Sequence, residues 1–145
     1  MDSKDITVLL VENDDRDAQR IRAAFTDLGF GESLRRVSSP DEAIADLSGG
    51  ATAGAPAERP LPSLILINLA LSRESDFKIL RWIKQQRSAI RLVPVIILAA
   101  SRQPPGFEVA YDLGAVSYLV KPLDRDALRS MMKAVLEFWK LDGRR

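Results

Sequence analysis

Short groups of polar or small residues follow each of four apolar runs in the chain. They are Glu12 to Asp15, Asn68, Ala99 to Ser101, and Lys121 with Pro122. Carboxylates, an amide and a lysine gathered in one place would suit the binding of a hard cation or of a phosphate. Asp14 and Asp15 also stand where a helix begins, so each is equally well explained as a helix cap. Glu12 directly ends an apolar run and is less easily explained in that way.

The composition of the 145 residues excludes several other chemistries. The chain has no His and no Cys, which removes imidazole bases, thiolates, disulfides and Cys/His zinc sites. A net charge of +1 gives no reason to expect nucleic acid or an acidic membrane surface as a partner. The apolar run after the polar N-terminus is too short for a signal sequence or a membrane span. We therefore expect a single domain over residues 1–145, located in the cytoplasm.

The apolar runs themselves predict the strands that position these groups. The runs lack alternation, which is typical of strands buried on both faces of a parallel sheet. Strands are predicted at 6–11, 64–67, 93–99 and 116–120, with a weaker one at 33–37. Helical spacing predicts a first helix whose apolar face runs from Ala18 to Leu28. Spacing and capping residues predict further helices at 40–47, 76–87, 107–113 and 124–140.

The alternation of strands and helices predicts a doubly wound α/β domain. In such a sheet, ligands bind beyond the carboxyl ends of the strands, where the polar groups lie. The segment 49–62 is rich in Gly, Ala and Pro and is predicted to be a flexible insertion. Residues 142–145 are predicted to form a frayed tail.

Four stretches of the chain resemble the receiver domains of bacterial two-component response regulators. They are Val8 to Glu12, Leu64 to Leu71 with Phe77 to Leu80, Val95 to Ser101, and Ala110 to Pro122. The last stretch, with its terminal Lys-Pro, is the most specific, and the resemblance covers nearly the whole chain. It is greatest to small stand-alone regulators that partner phytochrome-type histidine kinases. The resemblance implies a flavodoxin-like fold, with a five-stranded parallel sheet in the order 2-1-3-4-5 and five helices.

The resemblance also implies a role for each polar position. In active receivers an aspartate that ends the third strand attacks a phosphohistidine, and two acids after the first strand help to hold magnesium. A Thr or Ser after the fourth strand and a lysine then bind the new phosphate. This chain keeps Glu12 and Lys121, but Asn13 replaces the second acid, Asn68 the nucleophile and Ala99 the hydroxyl.

These three replacements remove the chemistry that the resemblance implies. A neutral carboxamide is a poor nucleophile, so Asn68 cannot form the acyl phosphate. Amides in place of two carboxylates leave at most weak magnesium binding, and Ala99 offers a phosphate no hydroxyl. The sequence therefore predicts a pseudo-receiver with no enzymatic activity and no cofactor, which acts through protein–protein interaction.

Two other readings of the site stay open. Asn68 is also explained as an engineered change in a conventional phospho-accepting receiver, although Asn13 and Ala99 would then need a separate explanation. A magnesium-dependent phosphohydrolase that uses Glu12, Asp14 and Lys121 is the second alternative, but it lacks a nucleophile or a base to activate water.

An inert pocket would leave function to a surface. In receivers the fourth helix, fifth strand and fifth helix form the usual face for dimerisation and partner docking. Tyr118 occupies the position of the family's switch aromatic, with a half-buried strand tyrosine as the alternative. The last helix has more apolar residues than one buried stripe requires, and its surplus predicts an exposed patch. The patch comprises Leu136 and Leu141 with Tyr111 and Tyr118. Trp139, which is assigned to the core face of the helix, is a further candidate for the interface.

The predicted partners are a second copy of the chain and a histidine kinase or another signalling protein. DNA binding is not predicted, since the chain lacks a basic recognition helix. The alternative to an interface is that the long last helix wraps its end over the domain. The arginines at 20, 22, 35 and 36 are interpreted as a solvated face.

Overall fold

The computed structural model describes residues 6–48, 61–68, 77–86, 89–99, 117–120, 122 and 124–142. The strands are β1 (Val8–Glu12), β2 (Leu34–Val37), β3 (Leu64–Asn68), β4 (Val95–Ala99) and β5 (Ser117–Val120). The α-helices are α1 (Asp15–Asp27), α2 (Pro40–Leu47), α3 (Lys78–Gln85) and α4 (Arg125–Asp142), with 3-10 turns at Gly31–Ser33 and Ala89–Leu92. None of these described helices combines the length and apolarity that crossing a bilayer requires. The predicted helix at 107–113, most of the predicted insertion and residues 143–145 lie outside the described residues.

All strand pairs in the sheet are parallel, and the strand order is β2-β1-β3-β4-β5. This confirms the doubly wound sheet and the order that the family resemblance implies. Every residue of β1 is buried, as are the described side chains of β3. A strand covered on both faces needs apolar side chains in both directions, which explains why the runs in the sequence do not alternate.

Successive side chains of the central strands enter two different core layers. Leu9 and Ile65 pack with α2 and α3 on one face of the sheet. Leu10 and Leu66 pack with α1 and α4 on the other face. A one-residue slip of a strand would exchange the two sets, so the packing of both layers fixes the register.

Helix α1 ends at a Schellman motif around Gly29. The N–H of Phe30 donates to the carbonyl of Phe25 at 2.7 Å, and the N–H of Gly29 donates to the carbonyl of Thr26 at 3.0 Å. Gly29 has a φ of 86°, a left-handed conformation that glycine adopts at little cost. The predicted helix end before Gly29 is confirmed.

Helix α3 ends two residues before the predicted position. Gln86 is extended, with a ψ of 147°, so the helix stops at Gln85 and not at Arg87. The side-chain amide of Gln86 donates to the carbonyl of Trp82 at 2.8 Å. That bond satisfies one of the last-turn carbonyls that a helix leaves unpaired, and apolar spacing does not reveal it.

Two leucines with opposite environments test the core. Leu10 is fully buried in the layer beneath α1 and α4, whereas Leu92 is 82% exposed. Leu10→Ala is expected to lower the free energy of unfolding by about 3 kcal/mol, because it removes buried methyl groups and leaves a cavity. Leu92→Ala makes the same chemical change and is expected to stay within about 0.5 kcal/mol of the parent. Urea denaturation measures both, and equal losses would contradict the assignment of Leu10 to the core.

Candidate functional site

The carboxyl ends of β1, β3 and β4 meet at one edge of the sheet, where the strand order reverses. The chain passes from β1 to β2 on one side, and then to β3 on the other side of β1. Glu12 at the end of β1 pairs in register with Asn68 at the end of β3, and Ala99 ends the neighbouring β4. Open α/β sheets bind ligands beyond such a switch point. The sheet thus brings three of the predicted site residues to one edge.

The remaining predicted site residues are less fully described. Asn13 follows β1 directly and is exposed. Tyr118 lies in β5, where its backbone pairs with Ile97 of β4. Tyr111 and Lys121 lie outside the described residues, so their roles stay predictions.

The Glu12 carboxylate is buried and binds the backbone of its own turn. The residue is 1% exposed, and Oε2 accepts a hydrogen bond from the N–H of Asp14 at 3.1 Å. A buried carboxylate is costly unless hydrogen bonds replace the water it loses. Glu12 therefore helps to hold the turn between β1 and α1.

Asp14 and Asp15 have different structural roles at the start of α1. Asp14 is the N-cap, and its Oδ1 accepts from the N–H of Asp17 at 3.0 Å. This confirms the capping alternative for Asp14. Asp15 is the first helical residue and is not a cap. Its side chain is 83% exposed and forms an ion pair of 2.9 Å with Nη1 of Arg36.

The donor set of this turn does not fit a resident magnesium ion. A hard cation needs carboxylate oxygens that converge on one point. Here Glu12 binds a backbone N–H, Asp14 caps a helix, and Asp15 binds a guanidinium. Across the part of the chain that the structure describes, no group of three or more His, Cys, Asp or Glu side chains is arranged to hold a metal.

The interpretation of four arginines as a solvated face is wrong for Arg20, Arg35 and Arg36, which are half-buried, whereas Arg22 is exposed as predicted. Each of the four also bonds to another residue, in most cases on a different element. Arg20 donates to the carbonyl of Pro122 at 3.0 Å, Arg22 to that of Leu34 at 3.4 Å, Arg35 to Asp46 at 2.7 Å, and Arg36 to Glu12 and Asp15. Most of these acceptors are distant in sequence, and several are backbone carbonyls, which residue types do not reveal. Arg36 is the residue at the site that sequence reasoning missed, although its place in a strand beside β1 was a usable signal.

Leu136 does not belong to an exposed patch. It is 3% exposed and lies in the core layer shared by α1 and α4. Leu136 lines a groove of about 170 Å³ together with Leu28 and Phe30, which follow the end of α1. The prediction for Leu136 is wrong because α1 packs along α4 and widens its buried face. The side chains of Trp139 and Leu141 lie outside the description, and their place in an interface stays a prediction.

Comparison with known proteins finds the same family over nearly the whole chain. A family model described as the response regulator receiver domain matches residues 8–133. The probable methanogenesis regulatory protein FilR2 of Methanothrix harundinacea is 30% identical over 132 residues, which cover 91% of this chain and 82% of FilR2.

Two solved structures are similar in both sequence and fold. The phosphorylated cyanobacterial phytochrome response regulator RcpA is 27% identical, with a TM-score of 0.77, over 92% of this chain and 93% of that chain. The Mn²⁺-bound form of the response regulator Rcp1 is 26% identical, with a TM-score of 0.71, over 92% of this chain and 94% of that chain. A response regulator Rcp1 of Synechocystis is also similar in sequence, at 25% identity over 139 residues.

Substitution of Asp14 separates its capping role from its charge. Asp14→Ala is expected to lower the free energy of unfolding by about 1 kcal/mol, because the N–H of Asp17 loses its acceptor. Asp14→Asn is expected to keep most of that stability, since the amide oxygen caps nearly as well. Urea denaturation of the two variants provides the measurement. Equal losses in both would mean that the charge of Asp14, and not its hydrogen bond, stabilises the turn.

Proposed function

The chain belongs to the response regulator receiver family, and on that premise we propose that it is a signalling protein that binds other proteins without undergoing aspartyl phosphorylation. Asn68 is the observation that carries the proposal. It ends β3 beside Glu12 at the switch-point edge, where the family resemblance places the nucleophilic aspartate. The position is kept, and the side chain has changed from a carboxylate to a carboxamide.

The carboxamide removes the covalent step itself. A carboxylate attacks phosphorus with an oxygen that carries negative charge, whereas an amide oxygen is neutral and the amide nitrogen lone pair is delocalised. Ala99 at the end of β4 offers no hydroxyl to bind a phosphoryl group. Both changes act on the same reaction, so we propose that neither transfer to the chain nor the conformational response to it takes place.

Magnesium binding by the turn after β1 is proposed to be weak. The similar protein Rcp1 has been solved in a Mn²⁺-bound form. In this chain Asn13 is an amide, and the nearby carboxylates already have bonding partners. A divalent ion would have to displace these bonds before it could bind.

The same contacts argue against the phosphohydrolase alternative. That reaction requires Glu12 and Asp14 as ligands or bases in an open pocket. Glu12 is buried, and Asp14 accepts the N-terminal N–H of a helix. We therefore propose that the chain has no enzymatic activity of its own.

The proposed partners are signalling proteins of the two-component type. The similarity to a phytochrome response regulator supports a histidine kinase as one partner. A second copy of the chain is the other, docked through the predicted helix at 107–113, β5 and α4. Nucleic acid is not a proposed partner, because the net charge is +1. The proposed location is the cytoplasm.

Chemical phosphorylation tests the absence of a phosphoacceptor. After incubation with acetyl phosphate and magnesium, intact-mass measurement is expected to show no gain of about 80 Da, the mass of a phosphoryl group. The physical reason is the neutral carboxamide at Asn68. An adduct on any Asp or Glu of the parent chain, Asp14 and Asp15 included, would overturn the proposal.

Two variants provide the controls for this measurement. The triple variant Asn13→Asp, Asn68→Asp and Ala99→Thr restores all three groups and is expected to be labelled. The single variant Asn68→Asp is expected to be labelled far less, because the second acid and the hydroxyl are still missing. Full labelling of the single variant would favour an engineered change in an otherwise conventional receiver.

Light scattering tests the proposed dimer. The parent chain is expected to have twice the 16.1 kDa mass of one copy. Trp139→Glu places a charge in the proposed apolar interface and is expected to give single chains. Gln19→Glu adds the same charge at an exposed position of α1 and is expected to leave the mass unchanged. A parent chain that remains single at high protein concentration would contradict the dimer.

A further inference from the structure

Arg36 of β2 reaches over the end of β1 and binds the acidic turn at two points. Its Nε and Nη2 donate to the carbonyl oxygen of Glu12 at 3.1 and 2.9 Å. Its Nη1 lies 2.9 Å from Oδ1 of Asp15. One planar guanidinium thus links the first and last residues of the segment 12–15.

Arg36 supplies donors to the Glu12 carbonyl just beyond the end of the ladder between β1 and β2. The ladder between β1 and β2 ends at the pair Val11 and Val37, and Glu12 lies one residue beyond it. A backbone carbonyl at such a place needs a donor. The guanidinium supplies two N–H groups in a fixed planar arrangement, which a lysine ammonium cannot reproduce.

The charges of the turn also call for a cation. Glu12, Asp14 and Asp15 place three carboxylates within four residues, and like charges at this spacing repel one another. The N-terminus of α1 offsets part of that repulsion through its dipole and its N–H groups. Arg36 is partly buried, so its charge is less screened by solvent than that of a fully exposed side chain.

We propose that Arg36 is the resident cation of the acidic turn. It orders residues 12–15 through a backbone carbonyl and a carboxylate, the two kinds of oxygen that a divalent ion would take. The conformation of the turn is then independent of magnesium. This inference goes beyond the proposed function, because it concerns the shape of the turn with no phosphoryl group and no metal bound, whether or not the chain can be phosphorylated.

Thermal unfolding with and without magnesium tests the inference. The melting temperature of the parent chain is expected to change by less than about 1 °C in roughly 10 mM MgCl₂, because the turn needs no added cation. Arg36→Gln is expected to melt roughly 3–8 °C lower in the absence of magnesium, since two hydrogen bonds and an ion pair are lost. Magnesium is expected to restore roughly 2–5 °C of that loss, because carboxylate and carbonyl oxygens become available.

Arg22→Gln is the matched control. It makes the same substitution, and Arg22 donates to the carbonyl of Leu34 at the other end of β2. Its melting temperature is expected not to respond to magnesium. Arg36→Lys keeps the charge but not the planar donors, so it is expected to be less stable than the parent and also insensitive to magnesium. This variant keeps the test decisive if Arg36→Gln does not fold.

Four results would overturn the inference. The first is an equal magnesium response in the parent chain and in Arg36→Gln, and the second is unchanged stability in Arg36→Gln. The third is a loss of stability in Arg36→Gln that magnesium does not reverse, which would make Arg36 a structural contact only. The fourth is a rise in the melting temperature of Arg36→Lys on addition of magnesium. Phosphoryl labelling by mass reports separately on Asn68, so failure of one proposal does not resemble failure of the other.

Discussion

Burial of β1 and β3 on both faces is the constraint on which the rest of this structure depends. The two helical layers take every buried apolar side chain described in these strands, so polar chemistry has no place along most of their length. It can begin only where the strands end, at Glu12 and Asn68, which are partners in register. Asn68 follows Ile67, the last residue of β3 that belongs to a core layer, so this position can differ from the aspartate that the family resemblance implies without a change in the core of the strand.

The turn after β1 shows how an acidic segment is stabilised within such a fold. Its carboxylates are neutralised and hydrogen-bonded by local structure: the Asp14 N–H binds Glu12, the start of α1 binds Asp14, and Arg36 binds Asp15. Each bond occupies a carboxylate that could otherwise bind a divalent ion. Carboxylates that are already bonded within the protein are therefore less available to a divalent ion.

Much of the fold follows from the sequence, and less of the site does. Buried runs, the Ser39 cap of α2 and Gly29 after α1 predict elements that the structure contains. The prediction that Leu136 is exposed is wrong because apolar spacing along one helix does not show how much of that helix a neighbouring helix covers. The prediction that Arg36 is solvated is wrong for a related reason. Its acceptors are a backbone carbonyl and a side chain more than twenty positions away, and only the strand order brings them together.

A receiver without a phosphoacceptor has a different physical requirement from one that switches. A switch needs two conformations close in free energy, which a ligand or a covalent change can bias. An exchangeable ion suits such a system, because its occupancy follows its concentration by mass action. The Arg36 guanidinium is covalently part of the chain. The protein therefore cannot lose this cation to solvent, as it can lose a bound ion. Tethering the cation thus favours one conformation of the turn, which is the property that a protein acting by fixed shape requires.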